Sequence, residues 1–245
     1  MPVTTTAIAN DILNRVAAEV GLAPVSDPYA STDQSFIQMK YLLDICGEEL
    51  VQAYPWGLLV KSEQFTTQAG DSGDYPLPAD YSSMINQTGW DRGRNVPLHG
   101  PLSAQDWTYL LGRDLVSSTI YASFRLAEGK FKIFPTDPVP EGLDINYEYI
   151  SKNWAKSSAG IEQDRVLKGS DTVNYDKTLV SRYLKVKFLE AKGFDSSKAQ
   201  ADFNQTFSFL TGTDKGAKVL NAGGTGGGYP YLDMWRNTPD TGYGL

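Results

Sequence analysis

Apolar residues recur every fourth position near the start of the chain, at Ile8, Ile12, Val16 and Val20. That period places them on one face of a helix, with Thr4, Thr5 and Thr6 as candidate N-caps and Gly21 as its stop. Pro24 and Pro28 mark a turn-rich connector. A second helix is predicted from Ser31 or Thr32, where Phe36, Met39, Leu43, Cys46 and Leu50 are spaced 3, 4, 3 and 4. Leu42 and Ile45 widen that stripe, and Cys46 falls on its buried side as a packing residue.

After Tyr54–Gly57 the period changes from helical to alternating. Ile120, Ala122, Phe124 and Leu126 alternate with polar neighbours, and Ala127–Lys130 turns the chain into "FKIFP" as a hairpin. Leu143, Ile145, Tyr147 and Tyr149 alternate likewise. Within this stretch "SAQDWTYLLG" reads as one short helix, N-capped by Ser103 and ending at Gly112.

Helical spacing returns at Asp176, with Val180, Leu184, Phe188 and Ala191 on one stripe and Gly193 as the stop. Asp195 or Ser196 caps a further helix carrying Ala199, Phe203, Phe207 and Leu210. Beyond it, a glycine run between Gly223 and Gly228 leads to Tyr229, Tyr231, Trp235 and Tyr243. The expected organisation is an N-terminal helical hairpin (1–56), a β-rich insertion (57–152), C-terminal helices (153–221) and an extended tail (222–245). The fold class is α+β: helices from both ends form a bundle, the β region is inserted, and a Gly-rich tail follows.

Composition narrows the function. The chain has 245 residues, is 41% hydrophobic and carries a net charge of −7. It can bury a sizeable core but lacks the basic stripe that tight nucleic-acid binding needs. No apolar run approaches the roughly 20 residues of a membrane span, and no secretory signal is recognisable at the start, so a protein made in a reducing compartment is expected. The sequons at Asn86 and Asn204 are then chance matches. A single cysteine excludes an internal disulfide, and with a single histidine, His99, it argues against zinc and against Ser-His or Cys-His nucleophiles. No phosphate-binding loop, nucleophile elbow or metalloprotease motif occurs, and no catalytic residue, metal or cofactor is assigned.

Two features remain. Lys177, Arg182, Lys185, Lys187, Lys192 and Lys198 face only Glu190 and Asp195 along the C-terminal helices, which fits a solvated face or a docking surface equally. Trp90, Trp107 and Trp154 read as anchors of the insertion's core. The aromatics beyond the glycine run lack an obvious core to enter, as in segments that order on a partner.

The ordered set "LPADY", "GWDRGRNVPLHGPLSAQDW", "FRLAEGKFKIFPTDP", "INYEYISKNW" and "LVSRYLKVKFLEAKGFD" resembles the head-to-tail adaptor family of tailed bacteriophages, the portal-binding tail accessory or tail tubular proteins of short-tailed phages. The likeness spans Leu77 to Asp195, with the two N-terminal helices in the same layout. It implies a structural protein at the portal vertex of the virion, made in the host bacterial cytoplasm. Copies would form a ring, generally twelve-fold, under the portal protein, extend the DNA channel and present a platform for the next tail component. The genome would pass without specific binding, helped by an acidic lumen. Tyr229, Tyr231, Trp235 and Tyr243 would meet the portal; Trp90 and Trp107 would be buried anchors, with Asp91 pairing with Arg92 or Arg94 locally or across a subunit boundary. Alternatives are a peptidoglycan-hydrolysing tail accessory protein, a head-completion or tail-terminator protein, and a carbohydrate-binding β module.

Overall fold

A computed structural model describes residues 7–112, 122–136 and 139–214. In chain order its elements are β1 (Ala7–Ile8), α1 (Ala9–Glu19), α2 (Gln34–Ala53), β2 (Val60–Thr66), β3 (Asp74–Pro76), β4 (Tyr81–Met84), β5 (Trp90–Asp91), β6 (Val96–Pro97) and α3 (Ala104–Gly112). There follow β7 (Ser123–Ala127), β8 (Lys130–Phe134), β9 (Asp144–Ser151), β10 (Ala155–Lys156), β11 (Glu162–Gln163), β12 (Thr172–Val173), α4 (Lys177–Ala191) and α5 (Ser197–Asp214). The fold is mixed α+β, with antiparallel sheets. Its described residues form two compact units: one from residues up to Val60 together with Ile150 onward, the other from Lys61–Tyr149.

In the first unit α4 packs against α1, α2 and α5. Ile12, Leu13 and Val16 of α1, Met39, Leu43 and Leu50 of α2, and Leu179, Val180 and Leu184 of α4 are fully or almost fully buried there. Trp154 belongs to this core, not to the insertion's: its indole covers Gly47 and stacks on Tyr175 at 6.4 Å and 17°. A small sheet in the order β1-β12-β10-β11 closes the unit. Four two-residue strands carry no visible alternation, which is why the sequence pattern misses them.

Helix starts also differ from expectation. Ile8 is paired in β1 and 38% exposed, and α1 has no side-chain N-cap. Its first N–H groups donate instead to backbone carbonyls of a distant loop, Ala9 N to Asp171 O at 2.9 Å and Asn10 N to Gly169 O at 3.0 Å. On α2 the cap is Asp33, accepting from Ser35 N. Asp176 caps α4 as the spacing predicts, accepting from Thr178 N and Leu179 N. Leu42 and Ile45 do not join the α2 core stripe: Leu42 is half-buried and Ile45 is 41% exposed.

In the second unit one sheet has the order β2-β9-β5-β6 with β4 also on β9, and another the order β3-β8-β7. Between them Phe124, Phe131 and Tyr147 stack in series, at 4.6 and 5.1 Å, with Leu98, Ile133, Leu143, Ile145 and Tyr149 around them.

Candidate functional site

The stretch 89–107 lies in the second unit and is built around a buried carboxylate. Asp91 is 3% exposed, and its Oδ1 accepts from the backbone N–H of Gly93 at 3.0 Å and of Asp144 at 3.1 Å. This fixes the turn between β5 and β6 and ties it to β9, whose Ile145 is the register partner of Asp91. Arg94 reaches Asp91 only at 3.8 Å and is largely exposed. Arg92 does not pair with Asp91; its guanidinium lies over the Trp90 ring at 5.6 Å. Trp90 is half-buried rather than a core anchor, because its neighbour across the ladder is Pro97 and its outer face carries that cation.

From Leu98 the chain runs beside β7. His99 N donates to Ala122 O, His99 O accepts from Phe124 N, and Leu102 N donates to Phe124 O, all within 2.9–3.1 Å. Gly100, at φ +150°, passes so close that a Cβ there would strike the Phe124 carbonyl. His99 is an exposed member of this ladder. The Ser103 hydroxyl then caps the start of α3, accepting from Asp106 N and donating to the Asp106 carboxylate. Trp107 on that helix is buried, edge-on to Phe134 at 6.2 Å and 78°. The stretch therefore joins the two sheets of its unit, with Asp91 and Trp107 as its internal fixings.

The "LPADY" segment has a tie that its composition does not announce. Asp80 accepts from Lys61 Nζ at 2.6 Å and from the Tyr149 hydroxyl at 3.0 Å, while Tyr81 stacks on Tyr149. Burial, then the Asp80 carboxylate, push the Tyr149 hydroxyl up to about 12.

The basic run on the C-terminal helices is largely consumed inside the first unit. Lys177 meets Asp11 at 3.3 Å, Lys185 meets Glu19 at 3.1 Å, and Lys187 meets Glu49 at 2.7 Å. Arg182 donates to Asp202 O and Thr206, and Lys198 pairs with Asp202. These cations stitch α4 to α1, α2 and α5, which accounts for a basic stripe in an acidic protein without a polyanionic partner. Burial would raise Glu49, but hydrogen bonds from Lys187 and Tyr183 outweigh it and hold the carboxyl below its ordinary value.

Among the described residues no group of three or more His, Cys, Asp or Glu side chains is placed to hold a metal ion. No described helix is long and apolar enough to cross a membrane. Cys46 is fully buried, and burial pushes its thiol far up, away from the thiolate that nucleophilic chemistry requires. In an open groove of about 520 Å³ beside Ile8, Tyr29 and Leu167, the lining residues Asn10 and Asp27 are bonded to each other, and Asn10 also accepts from the Tyr29 backbone. Tyr229, Tyr231, Trp235 and Tyr243 lie outside the described residues.

What the geometry offers is a pair of braced units with exposed apolar residues, and comparison with known proteins places it. A family model described as SU10 adaptor protein matches residues 8–223. The chain belongs to the SU10 adaptor protein family. This is a family of phage adaptors, structural proteins of the virion neck. No curated protein matches the chain. The adaptor match runs through both units and stops at Gly223, so the four C-terminal aromatics lie beyond the part shared with the family.

Proposed function

We propose that this adaptor assembles as a ring, twelve-fold, beneath the portal protein of a short-tailed phage, extends the DNA channel and seats the next tail component. Membership of the adaptor family carries the reading. In it, the helices of residues 1–56 and 153–221 act as a bundle that forms the ring's body, and residues 57–152 make up the β-rich insertion. The tail, 222–245, reaches the portal through Tyr229, Tyr231, Trp235 and Tyr243, tethered by the glycine run. Asp91 and Trp107 hold the insertion's shape, while Trp90 with Arg92 and Arg94 presents a surface to a neighbouring copy. A charge of −7 suits a channel wall along which DNA slides without adhering.

Native mass spectrometry of the protein, alone and with its cognate portal ring, tests this. The expected result is multiple copies joining the portal, and none when the chain is truncated after Asn221. A protein that ignores the portal, or a truncated one that binds as well as the full chain, would overturn the respective part.

A further inference from the structure

Two helices of the first unit each carry a face that nothing in the described residues covers. On α2, the side turned away from the core presents Gln34, Gln38, Tyr41, Ile45, Glu48 and Gln52, spaced 4, 3, 4, 3 and 4. Tyr41 is 70% exposed and Ile45 41%. A helix with apolar residues on its outer as well as its core side is one that assembly buries. On α5, an 18-residue helix whose only buried residue is Ala199, the outer side presents Ala201, Gln205, Ser208 and Gly212, spaced 4, 3 and 4. Phe209, 70% exposed, stands at its edge, and the seam itself is uncharged.

The two seams differ in size and charge in a complementary way. The larger apolar residues lie on the α2 seam, so Tyr41 and Ile45 are knobs, and Ala201, Ser208 and Gly212 outline a shallow groove with Gln205 between them. Two α2 faces would collide at their large residues, and two α5 faces would leave little to pack. When the helices run antiparallel, Glu48, the one charged residue of the α2 seam, lies toward the N-terminal end of α5, where Lys198 keeps a mostly exposed side chain alongside its pair with Asp202. Among the described residues each helix turns its other face to α4, and a second copy supplies the complementary seam.

We infer that the outer face of α2 in one copy docks on the outer face of α5 in the next, a heterologous contact that repeats around a ring. It rests on the adaptor reading only for closure, since head-to-tail contacts also build open filaments. Helices of 20 and 18 residues offer a footprint of roughly 300 Å² each, below the about 1,200 Å² total of a stable pair. Copies therefore separate in dilute solution and meet when a template holds them side by side.

Cysteine cross-linking tests the contact in the full-length protein. Tyr41→Cys and Phe209→Cys replace exposed side chains, and the native Cys46 is buried and stays silent to maleimides. With a short bismaleimide, the double variant is expected to give a ladder past dimer, at high concentration and on the portal, while each single variant gives none. Ala201→Trp, which fills the groove, should remove the ladder and leave the melting temperature unchanged. No ladder in either setting, or dimers from Tyr41→Cys alone, would overturn the contact. Portal binding without a ladder would refute the α2–α5 contact and spare the adaptor reading; a ladder without portal binding would do the reverse.

Discussion

The indole of Trp154 lies directly on the Cα of Gly47, so that a β-carbon at residue 47 would occupy the ring's own space. One small residue on α2 thus seats the largest fully buried side chain among the described residues, and Tyr175 stacks on it. Gly47→Ala forces the ring out of a packed site. The expected cost is about 1–3 kcal/mol, several degrees in melting temperature. An unchanged melt would show that the ring does not depend on this gap.

Asp91 serves three backbone donors, the N–H groups of Gly93, Arg94 and Asp144. Asp91→Ala strands them in a buried place and should cost about 2–3 kcal/mol. Asp91→Asn keeps an acceptor oxygen and should recover most of the loss. Denaturant unfolding of the two variants checks this; equal destabilisation would assign the effect to charge rather than to the turn.

Tyr147 is fully buried with its hydroxyl unpartnered among the described residues. Removing that oxygen relieves a desolvation cost without opening a cavity, since the ring remains stacked on Phe131. Tyr147→Phe should stabilise the protein by about 1 kcal/mol. A lower melting temperature would mean that the hydroxyl has found water or a partner.

Glu49 joins α2 to α4 through Lys187 and Tyr183. Its folded value lies below the ordinary 4.5. The stability it supplies is therefore complete above about pH 4.5 and is lost as pH falls through the folded value. Partial exposure limits it to about 0.5–1 kcal/mol. Unfolding midpoints of the wild type and Glu49→Gln, compared between pH 7 and pH 3, should differ at neutral pH and converge in acid. A gap that persists at pH 3 would place the effect elsewhere.

Helices were the legible part of this chain because each holds one apolar side at a constant period: Phe36 to Leu50 foretells the core side of α2, and Val180 to Phe188 that of α4. The hairpin of β7 and β8 was readable for the same reason in the strand period. Trp154 was assigned to the wrong core because it sits in a turn-rich stretch, and its seat on Gly47 is set by a residue far away in the chain. The role of Asp91 was equally hidden, since its acceptor duty to Asp144 spans 53 residues. Arg92 looked like an ion-pair partner because proximity to Asp91 in sequence is visible and the neighbouring ring's orientation is not. Ile45, on the outer face of α2, was counted into the core stripe because apolar identity alone does not tell a helix's packed side from its exposed one.

The backbone cap of α1 also dictates an order of events during synthesis. Ala9 and Asn10 donate their N–H groups to water until Gly169 and Asp171 have left the ribosome, on the order of ten seconds after α1 itself at bacterial-type speeds. By then Lys61–Tyr149, the described part of the second unit, has fully emerged as one uninterrupted stretch of chain. The inserted unit thus has its described strands together in the emerged chain before α4 arrives to cover the apolar sides of α1 and α2.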